Sequence, residues 1–254
     1  MKKVRLNKHD VVLYDSIDEL PIVRFHKYNH LLLIDAGIGA DIKDFDKHIE
    51  RVALYIRKGE NENAAKEIEN LRQNVFNIMQ GQSLSDLSFA CLVKEIDGKA
   101  QEDMSVDGLA KVLKKLGGTP RKELADVYQS VKKKIDDELI LYFPSLFDDV
   151  QQREYYDIMK RMLVVMLNGI AKGDTESHKE EVEKLRDKLV LFDKPKVYTG
   201  HDGVEVKHDK DFESMCLMIS TETNTDAKTM TTLAFYNAYE YIKEKARKTQ
   251  NKAR

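Results

Sequence analysis

The chain has 254 residues, enough for one large domain or two small ones, and its 42% hydrophobic and 34% charged composition excludes a disordered tail or a β-rich secreted scaffold. With 42 Lys and Arg against 44 Asp and Glu the net charge is -2, so no overall field draws it to nucleic acid or an anionic membrane, and any such attraction must be local. Cys91 and Cys216 stand far apart without a CxxC partner, which disfavours a disulfide framework or a thiolate metal site and fits a reducing cytoplasm.

The start, Met1-Lys2-Lys3-Val4-Arg5, lacks the apolar stretch of a signal peptide. Val11 to Tyr14 is a short apolar run, a strand or an extended arm. Ser16 and Glu19 have capping-box spacing and predict a helix starting there, or at Asp18 with Pro21 in its first turn, that continues apolar to about Ile34. Ile42, Phe45, Ile49, Val52 and Ile56 recur at helical spacing up to Gly59, and Ala64, Ile68, Leu71, Val75 and Ile78 repeat the pattern up to Gly81. These two amphipathic helices form a hairpin with a short polar connection. Ser83 or Ser85 caps a third helix carrying Phe89, Leu92, Val93 and Ile96 and ending at Asp97-Gly98. A short helix from Met104 to Leu116 closes at Gly117-Gly118. Pro120 then opens a long one with Leu124, Val127, Val131, Ile135 and Leu139, which Phe143-Pro144 stops.

Asp148 or Asp149 caps the most hydrophobic helix, which runs through Tyr155, Met159, Met162, Leu163 and Met166 to Gly169. Its apolar run from Met162 to Ile170 is interrupted and too short for a membrane span. The next helix holds Val182, Leu185 and Leu189, with Glu180, Glu181 and Glu183 facing Lys184, Arg186 and Lys188. Val197-Tyr198-Thr199 and Val204-Glu205-Val206 then flank Gly200-His201-Asp202-Gly203, which predicts a β-hairpin over 197–206. Phe212 to Ile219 is helical again, and a last helix contains Met230, Leu233, Ala234, Phe235, Tyr241 and Ile242. The expected fold is mainly α, packed helical hairpins or a bundle with that single small β-hairpin. The Pro144 to Asp149 turn divides it into units 1–147 and 148–254, unless the two form one continuous domain.

Leu31 to Asp41 reads LLLIDAGIGAD, which looks like the first strand and glycine loop of a class I methyltransferase. That chemistry requires a second strand ending in an acidic residue about 20 positions on, and two amphipathic helices follow instead. The simpler reading is that Gly37 and Gly39 end one helix and Asp41 caps the next. His26 and His30, four apart, share a helical face on which His48 could supply a third metal ligand, but Lys27 breaks the H-E-x-x-H pattern and surface histidines are preferred. His201, Asp202, His208, Asp209 and Asp211 could take an oxygen-seeking cation, though turn chemistry accounts for Asp202-Gly203. No nucleophile elbow or phosphate loop is present. The expectation is therefore no catalytic, cofactor or metal residues.

Basic residues cluster at both ends, with Lys2, Lys3, Arg5 and Lys8 at the start and Lys243, Lys245, Arg247, Lys248, Lys252 and Arg254 at the finish. They read first as solvated charge at a helix C-terminus. The functional alternative is contact of Lys243, Lys245, Arg247 and Lys248 with DNA or an acidic partner. Val197, Tyr198, Val204 and Val206, as strands with open edges, are the candidate contacts between subunits.

Leu13-Tyr14-Asp15-Ser16-Ile17-Asp18-Glu19-Leu20-Pro21-Ile22, continued through Arg24 to Asn29 and Asp35 to Gly39, resembles structural proteins of tailed bacteriophages that infect Bacteroides, as does Leu233 to Glu240. The named group it is most similar to is the tail and head-to-tail ring proteins of crAss-like phages. The resemblance implies a non-enzymatic virion subunit in a homo-oligomeric ring or connector. That ring would meet the portal or other tail proteins, sit at the tail or head-tail junction, and pass through the host cytoplasm during assembly. It implies no catalytic residue, cofactor or membrane. A tail-assembly chaperone absent from the mature particle is the alternative, and a methyltransferase-like enzyme the third choice.

Overall fold

The structure is a computed structural model that describes all residues except 82, 147–149, 174, 193 and 253–254. The chain is mainly helical, as its periodicities predict, with one small antiparallel sheet. That sheet includes the run from Val11 that the sequence offered as a strand or an extended arm, but it is not at 197–206, where the hairpin was expected. Strands β1 (Lys2–Leu6), β2 (His9–Leu13), β3 (Val93–Ile96) and β4 (Lys99–Ala100) pair in the order β1-β2-β3-β4. The first pair turns at Asn7, whose φ of +54° is one that asparagine tolerates. The last pair turns at Asp97-Gly98, with φ of +52° and +73°, the double positive φ that a two-residue hairpin needs. Residues 93–96, expected at the end of a helix, therefore form a strand, and that helix (α4, Leu84–Cys91) stops short of it. The core decides the matter: Val93 and Ile96 are buried against Val11 and Leu13.

The expected hairpin over 197–206 does not form. Residues 194–198 have no regular structure, and Val204, Glu205 and Val206 open helix α9 (Val204–Thr223), with Gly203 at its N-cap. The Val204 amide donates to the Val197 carbonyl (3.0 Å) and the Glu205 amide to that of Tyr198 (3.1 Å). These bonds satisfy orphan amides of a helix start instead of building a ladder.

Helix α1 (Ile22–Gly37) starts at Pro21, later than the capping box suggested. The Ser16 hydroxyl donates to Glu138 (2.8 Å) rather than capping. Leu31 to Ile34 lie within α1, so no strand leads into the glycines. Helices α5 (Val106–Lys115) and α6 (Arg121–Tyr142) follow their predicted bounds closely. The cap expected at Asp148 or Asp149 lies outside the described residues, and α7 (Val150–Lys172) runs through Gly169 to Gly173. Helices α8 (Thr175–Phe192) and α10 (Thr232–Lys252) complete the chain.

One core joins early and late segments. Phe25, Tyr28 and Leu31 of α1 pack with the sheet, α4, α5 and α6, and Phe212, Ile219 and Phe235 from the far end of the chain belong to the same cluster. Backbone bonds tie these segments directly, with the Ile22 amide donating to Met230 (3.0 Å) and the Thr232 amide to Leu20 (2.8 Å).

Helices α2 (Ile42–Arg57) and α3 (Asn61–Gln80) pair as predicted and bury Leu54, Tyr55 and Ala64, but much of the apolar stripe faces outward. An amphipathic stripe ordinarily faces a core. Here Ile42, Ile49 and Ile56 are exposed, as are Ile68, Phe76 and Met79, while His48, Glu67, Asn70 and Asn74 are buried. The end of α1 explains the polar residues in the seam, because its carbonyls require donors. Asn74 Nδ2 and His48 Nε2 lie 3.0 and 2.9 Å from the Ile38 oxygen, and Asn77 Nδ2 donates to Gly39 (3.0 Å).

Candidate functional site

The face of α1 that meets the start of α9 carries a cluster of imidazoles. His26 and His30 are one helical turn apart on α1 and project from the same side. His208 and Asp209 come from the second turn of α9, and packing of Phe212 against His26 brings them opposite (ring centroids 3.9 Å, planes 7° apart). The His208 ring also stacks on His26, at 4.5 Å. Asp209 Oδ1 stands at the focus, 2.9 Å from His26 Nε2, 3.3 Å from His30 Nδ1 and 3.8 Å from His208 Nδ1. One donor atom from each residue lies within 4.8 Å of all the others. The His26 and His30 side chains are mostly buried and that of Asp209 is 53% exposed, so the cluster opens to solvent on the carboxylate side.

Burial pulls the pKa values of His26 and His30 below the ordinary histidine value, against the opposing pull of Asp209. Desolvation works to raise Asp209, yet the hydrogen bond from His26 and the neighbouring imidazoles hold it below the ordinary carboxylate value. These shifts favour the neutral imidazole at His26 and His30 and the ionised carboxylate at Asp209, the forms in which such side chains bind a metal ion. His208 Nδ1 is buried and has no hydrogen-bond partner.

Two residues of each metal arrangement offered by the sequence are present, and the two pairs belong together. His48 is not a third ligand. It lies in the α2–α3 seam, Nδ1 at 2.7 Å from Glu67 Oε1 and Nε2 against the Ile38 carbonyl, two acceptors that make both ring nitrogens donors. His201 and Asp202 form an exposed pair of their own (3.0 Å), and Asp211 is exposed on α9, outside the cluster. The pairing of residues 26 and 30 with 208 and 209 could not be read from spacing, because the two halves are 178 positions apart.

The other sequence candidates lie elsewhere. Asp35 sits in the last turns of α1, where burial and then Asp44 and Asp41 raise its pKa, and Gly39 (φ +68°) follows the helix end. Tyr198 closes over Gly37, and Val197, Tyr198, Val204 and Val206 are half-buried against their own chain and present no strand edge. On α10, Lys243 pairs with Glu240 (3.3 Å), Lys245 with Glu222 (2.6 Å) and Lys248 with Glu244 (3.9 Å), while Arg247 is exposed. Both cysteines are buried, and burial pushes the Cys91 thiol up to about 12. Among the described residues no helix is long and apolar enough to cross a membrane.

A second feature is the apolar surface. Besides the α2–α3 stripe, α7 exposes Tyr156, Leu163, Val164, Leu167 and Ile170, although it packs closely with α8. Patches of this kind mark contact surfaces for other macromolecules. No protein-family model, curated protein or solved structure matches this chain.

Proposed function

We propose that this chain is a non-enzymatic structural subunit of a tailed-bacteriophage virion, a ring or connector component of the head-to-tail or tail assembly. The observation that carries the assembly half of this reading is the outward apolar stripe of α2 and α3. A monomer gains nothing by presenting Ile42, Ile49 and Ile56 to water while burying an ion pair between His48 and Glu67. A subunit whose stripe is covered by a neighbouring copy gains the burial that its sequence pattern is built for. The virion half rests on the phrases around residues 13–39 and 233–240 that resemble phage structural proteins.

The contact surface is therefore assigned to α2–α3 and to the exposed face of α7, in place of the strand edges first considered. Partners are other copies of the chain, then a portal or other tail protein. DNA contact through α10 is a secondary expectation, because three of its four candidate cations already face carboxylates. Mass spectrometry of purified particles tests the reading, which expects the chain in stoichiometric amount. Absence from particles, with a soluble monomer in infected cells, favours the assembly-chaperone reading instead.

A further inference from the structure

We propose that His26, His30, His208 and Asp209 bind one borderline transition-metal ion, zinc foremost, which clamps α9 to α1. Three imidazoles and one carboxylate are the donor types zinc prefers, and four protein ligands make a closed, structural site with no position left for a substrate. Calcium and magnesium, which take oxygen ligands, do not suit three nitrogens. The spacing fits as well. Zinc bonds of about 2.0–2.1 Å at tetrahedral angles put neighbouring ligand atoms about 3.4 Å apart. The carboxylate oxygen is already 2.9, 3.3 and 3.8 Å from the three nitrogens.

Two adjustments are required: the proton that His26 Nε2 shares with Asp209 has to move to Nδ1, and one ring has to turn. The rings of His26 and His208 are parallel within 9°, and two parallel imidazoles cannot both aim their in-plane lone pairs at one point. His26 is held against Phe212, so His208 has to turn about its Cβ–Cγ bond. Nothing resists that turn through Nδ1, which has no hydrogen bond to break, and a metal satisfies this otherwise orphaned atom. The site joins residues 178 to 183 positions apart, so its occupancy stabilises the contact between the two ends of the chain. The inference does not depend on the assembly reading, and its test reads metal binding rather than oligomeric state.

The experiment uses the full chain without an affinity tag, stripped with chelator and titrated with zinc by calorimetry, with thermal unfolding measured alongside. We expect one ion per chain and a raised unfolding temperature. His208→Ala and Asp209→Asn, both at partly exposed positions that keep the fold, should each weaken binding at least about tenfold, whereas His201→Ala leaves it unchanged. Cobalt(II) as a spectroscopic probe should give the intense visible absorption of tetrahedral coordination. Three results overturn the proposal: no saturable zinc binding, binding that His201→Ala weakens as much as His208→Ala does, or a weak octahedral cobalt spectrum.

Discussion

Arg24 is buried at 7% exposure. Its guanidinium donates to the carbonyls of Cys91 (3.1 Å) and Val93 (3.0 Å) and to that of Gln101, and it lies over the Tyr14 ring at 5.4 Å. Burial lowers its pKa, but an arginine so placed keeps its charge, and the fixed fork serves three backbone acceptors at once. Arg24→Met leaves those carbonyls buried and unpaired and should cost about 3 kcal/mol or more in urea unfolding, with Arg24→Lys recovering only part. An Arg24→Met chain as stable as the parent would show that solvent reaches these carbonyls. His48 makes a pH-dependent contribution. Desolvation works to lower its pKa, but the hydrogen bonds to Glu67 and the Ile38 carbonyl outweigh it, along with the opposing charge of Arg51, and the net shift is upward. A folded pKa above the unfolded one stabilises fully below about pH 6.5 and is lost as pH rises through the raised value. Stability should fall by about 1–3 kcal/mol from mildly acidic to alkaline pH. Replacing the imidazole in His48→Gln should flatten that slope, and an unchanged slope would assign it to another group.

At the level of elements, glycine positions separate backbone strain from packing. Gly98 has φ +73° and open space around it, so Gly98→Ala should cost only the left-handed backbone, about 1 kcal/mol, with β3 and β4 still paired. Gly37 is different, because a Cβ there falls inside the Tyr198 ring. Gly37→Ala should lift the 197–200 segment off the end of α1, seen as faster hydrogen exchange and proteolysis over 197–203 with little change in the core. Protection that stays intact would mean the ring has another seat. Helix spans were legible because apolar spacing and Pro or Gly stops are local, as at Pro120 and Phe143 around α6. The β-structure was misplaced because Asp97-Gly98 and Asp202-Gly203 look alike in sequence, and only the long-range pairing of Val93 to Ile96 with β2 distinguishes them. The strand at Lys2–Leu6 was missed for the same reason, since its partner decides that Val4 and Leu6 turn inward. For the metal cluster, each half was visible on its own helix, but the contact of α1 with α9 is a product of the fold. That much of the α2–α3 stripe faces outward was equally illegible, because an amphipathic pattern says that two faces differ and not which one meets the core.

The whole molecule exposes more surface than a compact chain of its size. For a mass of 29.3 kDa a compact monomer should expose about 11,500 Å², and this chain exposes 15966 Å². The excess is several times the roughly 800 Å² that one partner contributes to a standard interface, so the chain has room for more than one neighbour. A ring subunit has two such faces, one toward each adjacent copy, because a head-to-tail contact closes only by using different surfaces on its two sides. The α2–α3 stripe and the exposed face of α7 are apolar surfaces suited to that geometry. The net charge of -2 does little to keep copies apart. Ile49→Glu with Ile56→Glu therefore tests the assembly directly. Both side chains are exposed in the single chain, at 45% and 57%, so the substitutions leave the core and the His48–Glu67 seam intact. Each isoleucine withdrawn from a contact should remove about 1.5–3 kcal/mol per interface, and the buried glutamate adds a desolvation cost. Together they should shift light scattering or native mass spectrometry from an oligomer to the monomer, at an unfolding temperature no lower than that of a parent kept dilute. Undiminished assembly by this folded variant would remove α2 from the contact surface. A parent chain that stays monomeric at high concentration would point instead to an apolar face kept for a transient client, as an assembly chaperone requires.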